Sequence, residues 1–369
     1  MKHKLSLIIP CYNEESTIEA CLKNVFEKLV RDDIELEVIV VDDASKDDSY
    51  RILQRLVEED PRITLLQHKK NRGKGAALRT GLMHATGDFV GIQDADMEYD
   101  PSQYLQMLEP LVQDKADVVY GSRYLRPDTR RVLYFWHTWM NKTLTVVSNM
   151  FTNLDITDME TCYKLFKQEI IQKIAPTLKE ERFGFEPEIT AKVAKSGCRV
   201  YECAISYNPR SYEEGKKIGW KDGVRALYCI LHYGADTAPL PMQLLIYLFI
   251  GFASLLVNLF CFSAFVSVGV PINQSILYAF AVSALCNYLL CIGILFRHKS
   301  RWGTFSELLV YLLSVLLMCG IDYAVTKWLL ALAWGPKSAK FWASILGFVG
   351  NFLLRRYLVF SAKPEKKNI

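Results

Sequence analysis

A chain of 369 residues is long enough for two domains, and its small formal charge of +4 gives no indication of a nucleic-acid partner. The basic excess fits better with anionic lipid headgroups and phosphates at a membrane surface. Hydrophobic residues make up 51% of the chain, but they are concentrated in residues 239–360, whereas residues 1–236 have a mixed, soluble-type composition. The ten cysteines form no CxxC pair, which indicates reduced thiols. No signal peptide precedes the first strand-like segment, so we expect the first domain to stay on the side where it is made.

Short apolar runs alternate with helical stripes through the first half of the chain. The runs predict strands at residues 5–10, 37–41, 63–66, 89–93 and 118–120. Apolar residues at helical spacing predict helices at residues 16–30, 50–57, 76–85 and 103–112. This alternation is typical of an α/β domain in which helices cover a largely parallel sheet. Ligands of such sheets bind beyond the carboxyl ends of the strands.

Clusters that contain polar side chains lie at the ends of three of these predicted strands. They are Pro10, Tyr12 and Glu14 after the first strand, Asp42 and Asp43 after the second, and Asp94, Ala95, Asp96 and Glu98 around the end of the fourth. One cluster alone is equally well explained by acids that cap helices and fill turns. Three clusters in succession favour one crevice at the carboxyl edge of the sheet.

The third cluster predicts a site for Mg²⁺ or Mn²⁺, formed by Asp96 with Asp94 and Glu98. These ions take hard oxygen ligands, in many sites one or two carboxylates completed by phosphate oxygens. An ion there would neutralise charge that develops on a leaving nucleotide diphosphate. Residues 71–75 precede a predicted helix, so their amides and Lys74 are candidates for phosphate binding. The segment is not a Walker A loop, because Gly75 follows the lysine.

Basic residues farther along the chain predict a second phosphate site. They are Arg123, the Arg130-Arg131 pair, Arg210 and Lys217. Arginine suits phosphate because its planar fork makes two parallel hydrogen bonds. A phosphate monoester is largely dianionic at neutral pH, so as a nucleophile it needs positioning and no general base. For Arg130 and Arg131, simple solvation is an equally good explanation.

The second half of the chain predicts a membrane domain. Residues 216–238 form a basic amphipathic segment that suits a lipid interface. Four apolar runs follow, at residues 244–268, 276–296, 308–332 and 340–360, and each is long enough to span a bilayer. A buried helical bundle is disfavoured because the runs are nearly free of charge. Basic residues between the second and third runs and at the C-terminus predict that both termini and the first domain are cytoplasmic.

The membrane half contains an internal repeat. A shift of 64 residues aligns Tyr247 with Tyr311, Asn287 with Asn351 and Phe296 with Phe360. Matching apolar residues are common in membrane segments, but matching tyrosines and asparagines in an ungapped register are not. Each half predicts a helical hairpin, so the halves would be related by an axis along the membrane normal.

The motifs IPCYNEE, VVDDAS, NRGKG, QDADMEYDP and VVYGSRY resemble glycosyltransferase family 2, in its dolichyl-phosphate mannose/glucose synthase-like branch. The N-[YF]-L-L-x5-F elements of the repeat resemble the GtrA-like membrane family. The resemblance implies a GT-A catalytic domain at residues 1–215, a juxtamembrane helix at 216–238 and a GtrA-like domain at 239–361. It also implies inverting, metal-dependent transfer of one hexose from a nucleotide-sugar to polyprenyl or dolichyl phosphate.

The resemblance assigns roles to the candidate residues. The donor-binding set is Pro10, Tyr12, Glu14, Asp42, Asp43, Lys74 and Ala95. The catalytic set is Asp94, Asp96 and Arg123, and the metal set is Asp94, Asp96 and Glu98, the last at a position where relatives often carry glutamine. The acceptor-phosphate set is Arg123, Arg131, Arg210 and Lys217. Asp158 lies where relatives place acceptor-side acids, and a site-shaping and a purely structural role are equally open for it.

The sequence is compatible with several alternatives. A UDP-sugar is favoured as donor over GDP-mannose. A processive polysaccharide synthase would carry a Q/R-x-x-R-W motif, which this sequence lacks. The membrane helices would anchor the enzyme, grip the prenyl tail, form a homo-oligomer, or act as a transporter that flips the lipid-linked sugar.

Overall fold

The computed structural model describes residues 2–125, 131–209, 220–296 and 304–360. It divides into two compact units, Met1–Pro239 and Leu240–Ile369. The first unit contains a seven-stranded sheet with the strand order β3-β2-β1-β4-β6-β5-β7. Its strands are β1 His3–Cys11, β2 Ile34–Asp42, β3 Ile63–Gln67, β4 Phe89–Ile92, β5 Val118–Ser122, β6 Lys164–Lys167 and β7 Val200–Ala204.

Helices cover this sheet. They are α1 Ile18–Lys28, α2 Ser49–Glu59, α3 Lys74–His84, α4 Tyr104–Val112, α5 Phe135–Thr152, α6 Gln168–Ile174, α7 Phe185–Ser196 and α8 Trp220–Gly234. The predicted α/β fold is therefore confirmed.

The centre of the sheet is buried on both faces. Leu5, Leu7, Ile8 and Ile9 of β1 are completely buried, as expected for a parallel strand between two helical layers. β1 pairs in parallel with both β2 and β4, and Cys11 lies opposite Asp42. The strands thus end at one edge, where the polar clusters begin.

β6 departs from the predicted parallel arrangement. It runs antiparallel between β4 and β5, while β7 pairs in parallel with β5. The sheet is therefore mixed, and the antiparallel strand brings the segment that precedes Lys164 to the same edge as the other clusters.

The second unit consists of α9 Leu240–Ser267, α10 Ile272–Leu290, α11 Thr304–Ala331 and α12 Pro336–Leu354. Within the described residues, three helices are long and apolar enough to cross a membrane: Leu240–Ser267, Ile272–Phe296 and Leu309–Ala331. α12 occupies most of the fourth predicted span, which stays a prediction.

The two hairpins of this unit are related by the predicted repeat. α10 and α12 each continue into a π-helical segment, Cys291–Phe296 and Arg355–Val359, and these segments begin 64 residues apart. Tyr247 contacts Phe352 with ring centroids 5.5 Å apart, and the repeat-equivalent pair of Tyr311 and Tyr288 is 5.1 Å apart. Phe296 and Phe360 are equivalent to each other and stack at 4.7 Å. A pseudo-two-fold axis therefore passes between these two rings.

Candidate active site

A cavity of about 370 Å³ lies at the carboxyl edge of the sheet. Its wall includes residues from all three predicted clusters and from the two predicted phosphate sites: Pro10, Tyr12, Asp43, Lys74, Asp94, Asp96, Glu98 and Arg123. The fold brings them together because parallel strands end at the same edge. Their individual roles stay predictions.

Five other candidates within the described residues are not among those that line the cavity: Glu14, Asp42, Ala95, Arg131 and Asp158. Asp42 is completely buried, and its carboxylate accepts hydrogen bonds from the amide of Ser45 and from Nε2 of Gln67, each at 3.3 Å. These contacts fix the turn that follows β2.

The predicted acceptor-side cations are only partly described. Arg131 is exposed, and its Nη1 donates to the carbonyl of Pro209 at 3.3 Å. Arg210 and Lys217 lie outside the described residues, as does Arg130.

Each of the three strand-end clusters contains a non-glycine residue in the left-handed backbone region. These are Asn13 at φ 53°, Ala44 at φ 59° and Met97 at φ 61°. Asparagine adopts this conformation readily, but for Ala44 and Met97 it costs about 1–2 kcal/mol each. Strain of this kind is concentrated at functional sites, where the surrounding structure enforces it.

Asp43 positions the glycine-rich loop at residues 71–75. Its carboxylate accepts hydrogen bonds from the amides of Arg72 at 2.9 Å and Gly73 at 2.6 Å, and it lies 2.7 Å from Nδ1 of His68. Only 2% of Asp43 is exposed. Asp43 thus holds the loop at residues 71–75, a candidate for phosphate binding, in place. The predicted contact of Asp43 with a nucleoside stays a prediction.

The loop needs its glycines because the chain approaches another segment closely. A Cβ atom on Gly73, which has φ +97°, would lie 2.4 Å from the carbonyl oxygen of Glu181. Between the glycines, Nζ of Lys74 lies 2.7 Å from Oδ1 of Asp94. Burial alone would lower the pKa of Lys74, but the carboxylate of Asp94 outweighs it and the pKa is raised. Lys74 is therefore a permanent cation beside the acidic cluster.

The acidic cluster itself is a tight turn. The amide of Glu98 donates to Oδ1 of Asp96 at 3.2 Å, and the hydroxyl of Tyr207 donates to Oε2 of Glu98 at 2.8 Å. The described residues contain no group of three or more His, Cys, Asp or Glu side chains arranged around one point. Two carboxylates with room for phosphate oxygens nevertheless match what Mg²⁺ and Mn²⁺ take in nucleotide sites, so the donor set fits such an ion.

Arg123 is held by Asp158. Nε of Arg123 lies 2.7 Å and Nη2 2.8 Å from the two carboxylate oxygens, and the amide of Arg123 donates to Oδ2 at 3.0 Å. Asp158 is completely buried. The guanidinium also lies 5.1 Å from the ring of Tyr207. Asp158 therefore orients Arg123, which supports the site-shaping role over a role unrelated to the site.

A second buried charge pair borders the cavity and was missed by the sequence analysis. Glu160 and Glu186 line the wall, and Lys164, which is completely buried, pairs with Glu186. The lysine flanked by Tyr163 and Leu165 was the available signal, since a buried lysine needs a partner.

The wall also connects to α8. The carboxylate of Glu180 accepts a bidentate bond from Arg225, at 2.8–3.0 Å, and a bond from the hydroxyl of Tyr233 at 3.0 Å. Next to it, the carbonyl of Glu181 accepts from the amide of Ala76 in α3 at 3.1 Å. The segment that carries Glu180 and Glu181 thus contacts both the predicted juxtamembrane helix and the glycine-rich loop.

Comparisons with known proteins agree with this architecture. Residues 6–175 match Glycosyl transferase family 2, and residues 246–360 match the GtrA/DPMS transmembrane domain. A dolichyl-phosphate beta-glucosyltransferase from Dictyostelium discoideum is 30% identical over 55% of this chain and 66% of its own length. A dolichol-phosphate mannosyltransferase from Pyrococcus furiosus is 22% identical over 97% of this chain and 99% of its own length.

Solved structures are also similar. A glucosyl-3-phosphoglycerate synthase from Mycobacterium tuberculosis, in complex with Mn²⁺, uridine diphosphate and phosphoglyceric acid, has a TM-score of 0.49 at 16% identity. The superposition covers 64% of this chain and 80% of that one.

The family match, the relatives and the α/β fold define the class of this protein, a glycosyltransferase with a GT-A catalytic domain. More particularly, the chain joins a domain of glycosyltransferase family 2 to a GtrA/DPMS transmembrane domain, and it is a membrane protein.

Proposed function

We propose that this enzyme transfers one hexose from a nucleotide-sugar to the phosphate of a polyprenyl lipid such as dolichyl phosphate, with inversion at the sugar carbon. The observation that carries the proposal is the single cavity in which an acidic cluster, a lysine and an arginine meet in a chain that also has a GtrA/DPMS domain. The names of both curated relatives, a glucosyltransferase and a mannosyltransferase, support a dolichyl-phosphate acceptor. We favour a UDP-sugar as donor, and GDP-mannose is the second candidate.

The donor side of the reaction follows from the chemistry of the cavity wall. Asp94 and Asp96, with Glu98 beside them, would hold an Mg²⁺ or Mn²⁺ ion, which supplies positive charge to the departing diphosphate. Lys74 adds a fixed cation to the same side. Pro10 and Tyr12 form the wall on which the nucleoside would rest.

The acceptor side requires a cation that orients a phosphate. Arg123 fits because Asp158 occupies one edge of its guanidinium, which leaves Nη1 for a phosphate oxygen. That oxygen forms the new bond to the anomeric carbon as the bond to the nucleotide diphosphate breaks. The acceptor is already ionised at neutral pH, so no side chain needs to remove a proton from it.

A lipid acceptor also requires an apolar surface next to this cation. Asn141 and Lys142 of α5 contact Tyr124, which follows Arg123 in the chain. The same helix exposes 73% of Trp136 and 50% of Trp139. Exposed aromatic side chains of this kind suit the headgroup region of a bilayer. We propose that α5 and α8 rest on the cytoplasmic surface, with both chain termini on that side.

Product analysis on the purified full-length chain tests the proposal. Radiolabelled UDP-glucose, UDP-N-acetylglucosamine and GDP-mannose are each incubated with dolichyl phosphate and Mn²⁺ or Mg²⁺. We expect one donor to yield a solvent-extractable lipid that carries a single sugar. Polymeric product, or no labelled lipid with any donor, would contradict the proposal.

A further inference from the structure

Glu160 stands apart from the other acids of the cavity. It lines the wall, and its Oε1 atom is buried without a hydrogen-bond partner among the described residues. A buried acceptor without a hydrogen-bond partner costs about 1–3 kcal/mol, so its presence in the wall of the cavity calls for an explanation.

Three of the cations in and beside the cavity are bound to acids other than Glu160. Arg123 is paired with Asp158, and Lys74 is paired with Asp94. Lys164 has three donors, and they meet the carboxylate of Glu186 and the carbonyls of Met159 and Thr161. Each of these three cations therefore already has a carboxylate partner other than Glu160.

The position of Glu160 is nevertheless fixed. Met159 and Thr161, whose carbonyls accept from Lys164, are the residues on either side of it. Lys164 is completely buried and is anchored in turn by Glu186. A buried lysine thus fixes the backbone on both sides of Glu160. Such support is needed where a binding site must place one side chain accurately.

The chemistry of the carboxyl group selects its ligand. An ionised phosphate oxygen only accepts hydrogen bonds, so it could pair with this carboxyl group only in its protonated state and would be repelled by the ionised acid. A sugar hydroxyl both donates and accepts, so it pairs with a carboxyl group in either protonation state. Burial, assisted by the negative charge of Glu186, raises the pKa of Glu160 to about 7, and both states are therefore populated near neutral pH.

We propose that Glu160 binds a hydroxyl group of the hexose carried by the nucleotide-sugar, and thereby determines which hexose the enzyme accepts. The inference rests on the proposed donor class, since it requires a nucleotide-sugar in this cavity. It assigns Glu160 to the sugar rather than to the diphosphate or to the lipid phosphate.

Donor binding without the acceptor tests this assignment. Calorimetry with Mn²⁺ compares UDP with UDP-glucose, and GDP with GDP-mannose, on the wild type, E160Q and E160A. In E160A we expect the affinity for the nucleoside diphosphate to change less than about twofold. The affinity for the nucleotide-sugar that the wild type binds should fall about 10- to 100-fold. The isosteric E160Q should fall between E160A and the wild type. Asp155, an exposed acid three residues before Asp158, provides the matched control D155N.

Deoxy-sugar donors identify the hydroxyl. The 2-, 3-, 4- and 6-deoxy analogues of the preferred donor are compared in the same assay. The wild type should bind one analogue about as weakly as E160A binds the intact donor, and E160A should no longer distinguish that analogue from the intact donor. Equal loss of nucleoside diphosphate affinity in E160A, or an unchanged deoxy profile, would overturn the proposal. If the protein does not use a lipid phosphate as acceptor, these donor-binding results would not change. That outcome would appear only as the absence of a labelled lipid product.

Discussion

At the scale of single residues, the cavity is bordered by three pairs of opposite charge, of which the last two named here are buried. Lys74 with Asp94, Arg123 with Asp158, and Lys164 with Glu186 each place a cation against a carboxylate. Removing one member of a buried pair typically costs about 3–5 kcal/mol, because the other charge stays uncompensated. Substitutions here therefore change folding stability together with chemistry, and experiments must separate the two.

The Arg123–Asp158 pair allows that separation. R123A should lower the free energy of unfolding by about 3–5 kcal/mol, because it leaves Asp158 buried and alone. The double variant R123A/D158A removes both charges and should recover most of that stability, while use of the lipid acceptor stays impaired. Thermal unfolding in detergent and acceptor-dependent turnover report the two effects. Normal turnover in the double variant would show that Arg123 does not bind the acceptor.

Asp96 offers a test of metal dependence that leaves the Lys74–Asp94 pair intact. D96N should reduce turnover by about 100- to 1,000-fold with little change in thermal stability, since charge on the leaving diphosphate loses its counter-ion. Excess EDTA should stop the wild type, and added Mn²⁺ should restore it. D32N, at an exposed acid, is the control. Full turnover of the wild type in EDTA would refute the metal assignment.

Glu160 should also make stability depend on pH. Its pKa is raised from 4.5 to about 7 by burial and by Glu186, although Lys164 and Arg123 oppose this and Asp158 adds to it. A group whose folded pKa is raised stabilises the fold at low pH and loses that contribution as the pH rises towards 7. E160Q should therefore gain stability relative to the wild type between pH 5 and pH 8, by up to about 3 kcal/mol. Melting temperatures at both pH values measure this, and a constant difference would contradict it.

At the scale of elements, the wall segment that carries Glu180 connects α8 to the cavity. The carboxylate of Glu180 is 7% exposed, whereas the side chain of Arg225 is 53% exposed. E180A should cost about 2–3 kcal/mol, because Tyr233 and Arg225 both lose their acceptor, whereas R225A should cost less. Hydrogen exchange of the α8 amides should increase in E180A. Unchanged exchange would show that apolar packing alone holds the helix.

The elements that sequence patterns predicted well are those whose burial is uniform. β1, β2 and β4 each contain a run of four or five consecutive buried and mostly apolar residues, and side chains from the clusters at their ends lie on one cavity wall as expected. β6 was not predicted, because only Leu165 and Phe166 of its four residues are apolar. Glu160 and Glu186 were not predicted as cavity residues for the same reason, because their proximity depends on the pairing of β6.

At the scale of the whole molecule, the membrane unit is organised around one buried arginine. Arg355 donates to Asn287, to the hydroxyl of Tyr311 at 3.2 Å and to Sγ of Cys291 at 3.5 Å. Its guanidinium also lies 5.2 Å from the ring of Tyr247. These contacts join both hairpins.

Replacing that arginine should loosen the membrane unit. R355M should lower thermal stability in detergent by an amount equivalent to about 2 kcal/mol or more, since Asn287 and Tyr311 lose a charged partner. K327M removes an exposed lysine from α11 and should have little effect. Equal melting temperatures for R355M and the wild type would show that the hairpins hold together without this contact.

The axis between Phe296 and Phe360 also has an evolutionary consequence. In a two-fold dimer of separate, identical hairpins, every residue near the axis must occur twice. The counterpart of Arg355 is Cys291, and the two are in contact, so a symmetric dimer that carried arginine here would place two like charges side by side. Fusion of two hairpin genes removes that constraint, because each copy then mutates independently. A single chain can therefore keep one central arginine opposite a cysteine, an arrangement that a symmetric dimer of identical hairpins could not contain.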